Sequence, residues 1–200
     1  MTQTVTQDNH QTEDAPVQES PEKTGKKTPQ KKSWQKELLS WILTFAVAIA
    51  LALVIRTFLF QFVRVDGHSM VETLQNDEIM FTTRLEYWTG DPQRFDVVIC
   101  HYPNRTENFV KRVVGLPGDT VEIKGGYLYV NGEKYEESYI THRPDYTLSP
   151  YVVPEGKYFV LGDNRSNSND SHIIGPIDRS MIFGHVRSVV FPFSGWRSIE

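Results

Sequence analysis

The sequence has one cysteine, Cys100, which excludes an intramolecular disulfide, a thiolate zinc cluster and CxxC redox chemistry. Cys100 follows the strand-like run Asp96-Val97-Val98-Ile99 and reads as a small buried hydrophobe. H-E-x-x-H and comparable ligand spacings are missing, so no metal is expected. Gly162 and Gly125-Gly126 do not form a phosphate-binding fingerprint, and no cofactor is implied. The formal charge of −4 is mild and gives no reason to expect nucleic acid as a partner. No internal repeat is present, and nothing after residue 61 has the periodicity of a long amphipathic helix.

Charge of one sign is missing from two stretches. Residues 1–22 carry Asp8, Glu13, Asp14, Glu19 and Glu22 but no lysine or arginine. A cluster of Lys23, Lys26, Lys27, Lys31, Lys32 and Lys36 follows. With few apolar residues and several prolines, residues 1–36 read as a disordered tail. Residues 38–55 then form an uncharged run of 18 residues, at the lower edge of what crosses ~30 Å of hydrocarbon. A cleaved secretory signal has an apolar core of ~7–15 residues followed by small residues. Here Ala46, Ala48, Ala50 and Ala52 lie inside the run and Arg56-Thr57-Phe58 follows it, which favours an uncleaved anchor. The anchor is expected over 37–60. The lysine cluster puts the N-terminus in the cytoplasm and residues 61–200 outside it, by the positive-inside rule.

Past the anchor the signals are β. Residues 95–99, 109–114, 121–123, 127–130, 158–161 and 186–191 read as short strands. Gly125-Gly126 and Asn131-Gly132 supply hairpin turns, and Leu116-Pro117-Gly118-Asp119 another turn. The expected fold is therefore mainly β: one N-terminal transmembrane helix followed by an antiparallel β-rich domain.

Ser69 and Lys111 are the candidate reactive pair. A serine hydroxyl is a weak nucleophile until a base removes its proton, and an amine serves as base if desolvation lowers its pKa. On a strand, Phe109 and Val113 flank Lys111 while Arg112 points away, which keeps the amine dry. A Ser-His-Asp triad would need His68, His101, His142, His172 or His185 as base. His68 adjoins Ser69, and adjacent side chains on an extended segment point apart. Only 14 positions separate Ile55 from Ser69, so at ~3.6 Å per residue the nucleophile is tethered near the membrane surface.

Three runs carry a resemblance. Val65-Asp66-Gly67-His68-Ser69-Met70-Val71-Glu72-Thr73-Leu74 is similar to the nucleophile box of the type I signal peptidases. Lys111-Arg112-Val113-Val114-Gly115-Leu116-Pro117-Gly118-Asp119 resembles their general-base box, and residues 162–171 resemble their C-terminal box. The order and the single anchor are similar to the short Gram-positive form, over roughly residues 36–195. The resemblance implies a membrane-anchored serine endopeptidase with a Ser69/Lys111 dyad, acting on secretory preproteins beside membrane lipid. In it Ser168 orients Lys111, Asp170 supports that arrangement, and the Ser69 N–H contributes to the oxyanion hole. Met70, Leu74 and Val110 match apolar positions near pockets for the small residues before the cut. The sequence departs from the family pattern at Glu72 (usually proline), Phe95 (usually glycine) and His172 (usually arginine). These departures keep a second reading open, a catalytically weak relative acting as a membrane-tethered chaperone or assembly factor.

Overall fold

The computed structural model describes residues 34–199. The acidic stretch and the lysine cluster up to Lys32 lie outside the described residues. Helix α1 runs from Trp34 to Phe58, so residues 34–36, expected in the tail, form its first turn. Glu37 in that turn and Arg56 in the last turn complement the helix dipole. Over Trp34–Arg56 the mean hydropathy is 2.7 and no residue is buried, long and apolar enough to cross a membrane. Phe60, expected as the end of the anchor, instead opens the first strand because its backbone is taken up in pairing.

The rest of the chain is antiparallel β. The strands are β1 (Phe60–Arg64), β2 (Ile79–Thr83), β3 (Val97–Cys100), β4 (Phe109–Gly115), β5 (Thr120–Lys124) and β6 (Tyr127–Val130). They continue with β7 (Glu133–Tyr135), β8 (Leu148–Val152), β9 (Lys157–Leu161), β10 (Ile177–Asp178), β11 (Ile182–Phe191) and β12 (Arg197–Ser198). Two one-turn helices, α2 (Glu86–Thr89) and α3 (Ser171–Ile174), interrupt them. The larger sheet has the order β1-β2-β11-β3-β4-β9-β10, with β12 on β11; the smaller is β7-β6-β5-β8. Gly125 and Gly126 both have positive φ between β5 and β6, as do Asn131 and Gly132 between β6 and β7. Paired left-handed residues are what a two-residue hairpin turn requires.

β3 is buried at every position, so the large sheet is covered on both faces. Val97 and Ile99 join Met70, Leu74, Met80, Val186 and Val189 in one cluster. Val98 and Cys100 pack into another with Tyr102, Val113 and Val160. A third cluster, built on Val121, Ile123, Leu128 and Phe159, fills the small sheet. β4 bears on function because its N-terminal half pairs only with β3, whereas Arg112 to Gly115 also pair with β9. Lys111 therefore sits where the edge of β4 opens. The loop from β1 to β2 carries Ser69, and the segment after β9 carries residues 162–170.

Candidate active site

Ser69 lies in a turn that starts from an extended approach through Val65 and Asp66. Gly67, at φ +108, reverses the chain in a conformation that side chains with a Cβ rarely adopt, and its N–H donates to Asn76 Oδ1 at 2.9 Å. The Leu74 N–H donates to Met70 O at 2.8 Å and closes the turn. Glu72 has φ +102, a value closed to proline, so here the turn takes a backbone path that the usual residue could not follow. It is not opened by the change; the Glu72 carboxylate lies 3.5 Å from His142 Nδ1.

Lys111 is 2 % exposed, and its Nζ is 2.6 Å from Ser69 Oγ and 3.0 Å from Val110 O. Val113 and the Phe109 ring share its face of the strand, with Nζ 5.9 Å from the ring centroid. Desolvation by burial is the main influence and pulls the ammonium below the usual lysine pKa. Cys100, Asp170 and Asp163 oppose the fall. Burial pushes the Cys100 thiol up to about 12, so it stays neutral and the opposing charges are those of the two aspartates. Four of the histidines are engaged elsewhere: His101 with Glu107 O, His142 with Glu72, His172 with Asp170 and His185 with Glu86. Ser69 and Lys111 are thus brought together as expected from sequence.

The segment after β9 grips the nucleophile turn by its backbone. The Asn164 N–H donates to Ser69 O at 3.0 Å and its Nδ2 to His68 O at 3.0 Å. Asp170, fully buried, accepts from the Gly162 N–H at 2.8 Å and caps α3 through the His172 N–H. A Cβ on Gly162 would stand 2.5 Å from Ser69 O and 2.2 Å from Ser168 Oγ, so only glycine allows this approach. The hydrogen bond from Ser168 to Lys111 that the resemblance implies is not formed. Ser168 Oγ is held against the Gly162 backbone, buried and without a hydrogen-bond partner.

Residues quoted in the sequence motifs without a chemical role prove to bear the site's weight. Arg112 points away from Lys111 and donates to both oxygens of Asp163, at 3.0 and 2.9 Å, in a buried pair. Thr73, in the nucleophile turn, donates its hydroxyl to the same carboxylate. Arg112 Nη1 also donates to Phe95 O at 2.9 Å, and its guanidinium lies 3.9 Å from the Tyr139 ring centroid. Phe95 has φ +75, which explains why glycine suits the position; its N–H bond to Val113 O and its contacts with Tyr135 and Tyr139 offset the strain. His172 does reach Asp170, with Nδ1 2.6 Å from Oδ1, and stacks on Tyr146. Strand alternation turns Arg112 away from Lys111, as expected from sequence, but does not reveal its partner 51 positions away.

A cavity of about 440 Å³ opens beside the dyad, lined by residues 63–67 on one side and 107–111 on the other. Met70 and Val110 contribute to it, with Val65 and Ile99. Leu74, expected near a substrate pocket, is fully enclosed in the core instead, because the closed turn directs it inward beneath Met70.

Residues 38–191 match the family model for signal peptidase, peptidase S26. The chain is 38% identical over 188 residues to signal peptidase I of Bacillus licheniformis, covering 88% of this chain and 100% of that one. It is 37% identical over 181 residues to signal peptidase IB of Staphylococcus aureus strain N315, covering 82% and 94%. A crystal structure of a signal peptidase I from Enterococcus faecalis V583 is 34% identical, aligned over 48% of this chain and 97% of that one with a TM-score of 0.42.

Proposed function

The chain belongs to the S26 signal peptidase family and is a signal-peptide-cleaving serine peptidase; from that premise we propose that Ser69 is its nucleophile and Lys111 its general base. The observation that carries the assignment is the 2.6 Å contact between Ser69 Oγ and a buried Lys111 Nζ. Neutral Lys111 takes the Ser69 proton as Oγ bonds to the scissile carbonyl carbon, and returns it to the amine as the C–N bond breaks. A water then cleaves the ester, with Lys111 again accepting the proton, and frees Ser69. A neutral amine has one lone pair and two N–H donors. With the lone pair on Ser69, one donor reaches Val110 O, and the unpartnered Ser168 Oγ is the acceptor we assign to the other. Asp170 supports this by fixing Gly162. The Ser69 N–H serves the developing oxyanion. The bonded dyad disfavours the second reading, a catalytically weak relative acting as a membrane-tethered chaperone or assembly factor.

The substrate lies extended between residues 63–67 and 107–111, with small side chains seated on Met70, Val110 and their apolar neighbours. α1 anchors the protein in the membrane, with the N-terminus in the cytoplasm and the β domain outside, as the lysine cluster requires. The substrate is then a secretory preprotein whose own apolar segment holds the cleavage site near the bilayer.

The test is a precursor in which the first or third residue before the cut is changed from alanine to a bulky residue. Processing should stop in both cases. Efficient cleavage of the bulky precursors, or of a soluble protein such as casein, would overturn the assigned specificity.

The pH profile tests the base independently. Lowering the pKa of Lys111 enlarges its neutral fraction at a given pH, and the neutral amine is the active form. The rate should therefore climb with pH through a single ionisation below the free-lysine value of ~10.4 and level off above it. A profile that His172→Ala abolishes while Lys111→Ala retains it would identify a different base.

A further inference from the structure

Two cavities, not one, meet at the dyad. The second, about 310 Å³, is lined by Asp66, Gly67, His68, Ser69, Phe109, Lys111, Asn167 and Asn169. It shares Asp66, Gly67, Ser69, Phe109 and Lys111 with the first, but its other walls differ in chemistry. Beyond the shared residues, the first has an apolar floor of Val65, Met70, Ile99 and Val110 with Arg64, Arg105 and Glu107 among its walls, whereas the second has an imidazole and two carboxamides. His68, Asn167 and Asn169 are all exposed, as is Asp66, whose carboxylate stands at the junction of the two.

A peptide cut at Ser69 must pass the dyad, entering through one cavity and leaving through the other. The apolar floor of the first cavity, at Val65, Met70, Ile99 and Val110, suits the small residues before the cut, which assigns the second cavity to the residues after it. We propose that this second cavity is the binding site for the first residues of the mature protein, and that Asp66 makes it select for basic and against acidic side chains there. The inference rests on the proposed reading of the dyad and of the first cavity. Asn167 and Asn169 offer both donors and acceptors, so they tolerate varied polar sequences and do not discriminate charge. Asp66 does discriminate. A lysine placed after the cut gains its attraction, and a glutamate meets a like charge, each effect modest because the site is open to water.

The experiment uses the full chain in detergent and a set of precursor peptides identical up to the cut. Only the first two residues after it vary: lysine, alanine or glutamate. For the wild type, kcat/KM should be about two- to fivefold higher with lysine than with glutamate at low ionic strength, and the ratio should shrink with added salt. Asp66→Asn should flatten the ratio and Asp66→Lys should invert it. Asn169→Asp, which adds a carboxylate to the same wall, should raise it above wild type. A ratio that is the same in all four proteins, or that is insensitive to salt, would overturn the proposal. Failure of the underlying reading looks different: the wild type would no longer require small residues before the cut, with any of the three residues after it.

Discussion

Replacing Ser69 by alanine, or Lys111 by alanine, should lower turnover of a signal-bearing precursor at least about a thousandfold, with the domain still folded. The two changes should be nearly equal in effect and far from additive in combination, because each removes one half of a single proton-transfer unit. Ser69 is partly exposed in its turn and loses only a hydroxyl, so its removal leaves the fold untouched. Lys111→Ala opens a cavity beside Phe109 and Val98 but also removes a buried amine, two effects of opposite sign on stability. Lys111→Met keeps the volume and should be as inactive as the alanine variant. Single-turnover assays, with circular dichroism as the check on folding, decide the matter; activity within tenfold of wild type in any of these variants would exclude the dyad.

The largest expected loss of stability belongs to a residue that touches no substrate. Asp163→Ala should cost about 3–5 kcal/mol, because it takes the two-oxygen carboxylate partner from the buried Arg112 guanidinium. The contacts of the guanidinium with Phe95 O and the Tyr139 ring do not replace that two-oxygen pairing. Thr73 loses its acceptor at the same time, and with it a tie between the nucleophile turn and the segment after β9. The thermal midpoint of the domain should fall by on the order of 10 °C. Replacing both charges, Arg112→Met with Asp163→Leu, should recover much of that loss, since the double variant no longer buries an ion at this place. A single variant that melts with the wild type would show that water reaches Arg112.

How much of this was legible in the sequence depends on the range of the interaction concerned. The hairpin turns at Gly125-Gly126 and Asn131-Gly132 are local chemistry and stand where expected, as does β4. β8 is not legible because Pro150 breaks its pattern; the strand lies on the edge of the small sheet, where the missing N–H costs no ladder bond. The start of β1 merges with the expected anchor because Phe58-Leu59-Phe60 continues the apolar run, and only pairing with β2 tells strand from helix there. In the site, Ser69 and Lys111 could be argued from residue type and neighbours alone. Met70 and Leu74 are both buried apolar residues in one turn, and nothing in their identity says that the first borders a cavity while the second does not. The hold of Asn164 on two carbonyls of the nucleophile turn joins segments about 95 positions apart, beyond the reach of any local pattern.

Gly162 sets a criterion for reading diverged sequences of this kind. Its α-carbon is a spacer between the carbonyl of Ser69 and the hydroxyl of Ser168, and each of the other nineteen amino acids would force those two apart. A chain that keeps its serine and lysine but has drifted at this glycine would pass inspection of the dyad while its reactive groups were held at the wrong separation. In sorting working peptidases from decayed copies, the residue with no side chain is therefore as informative as the two that do the chemistry.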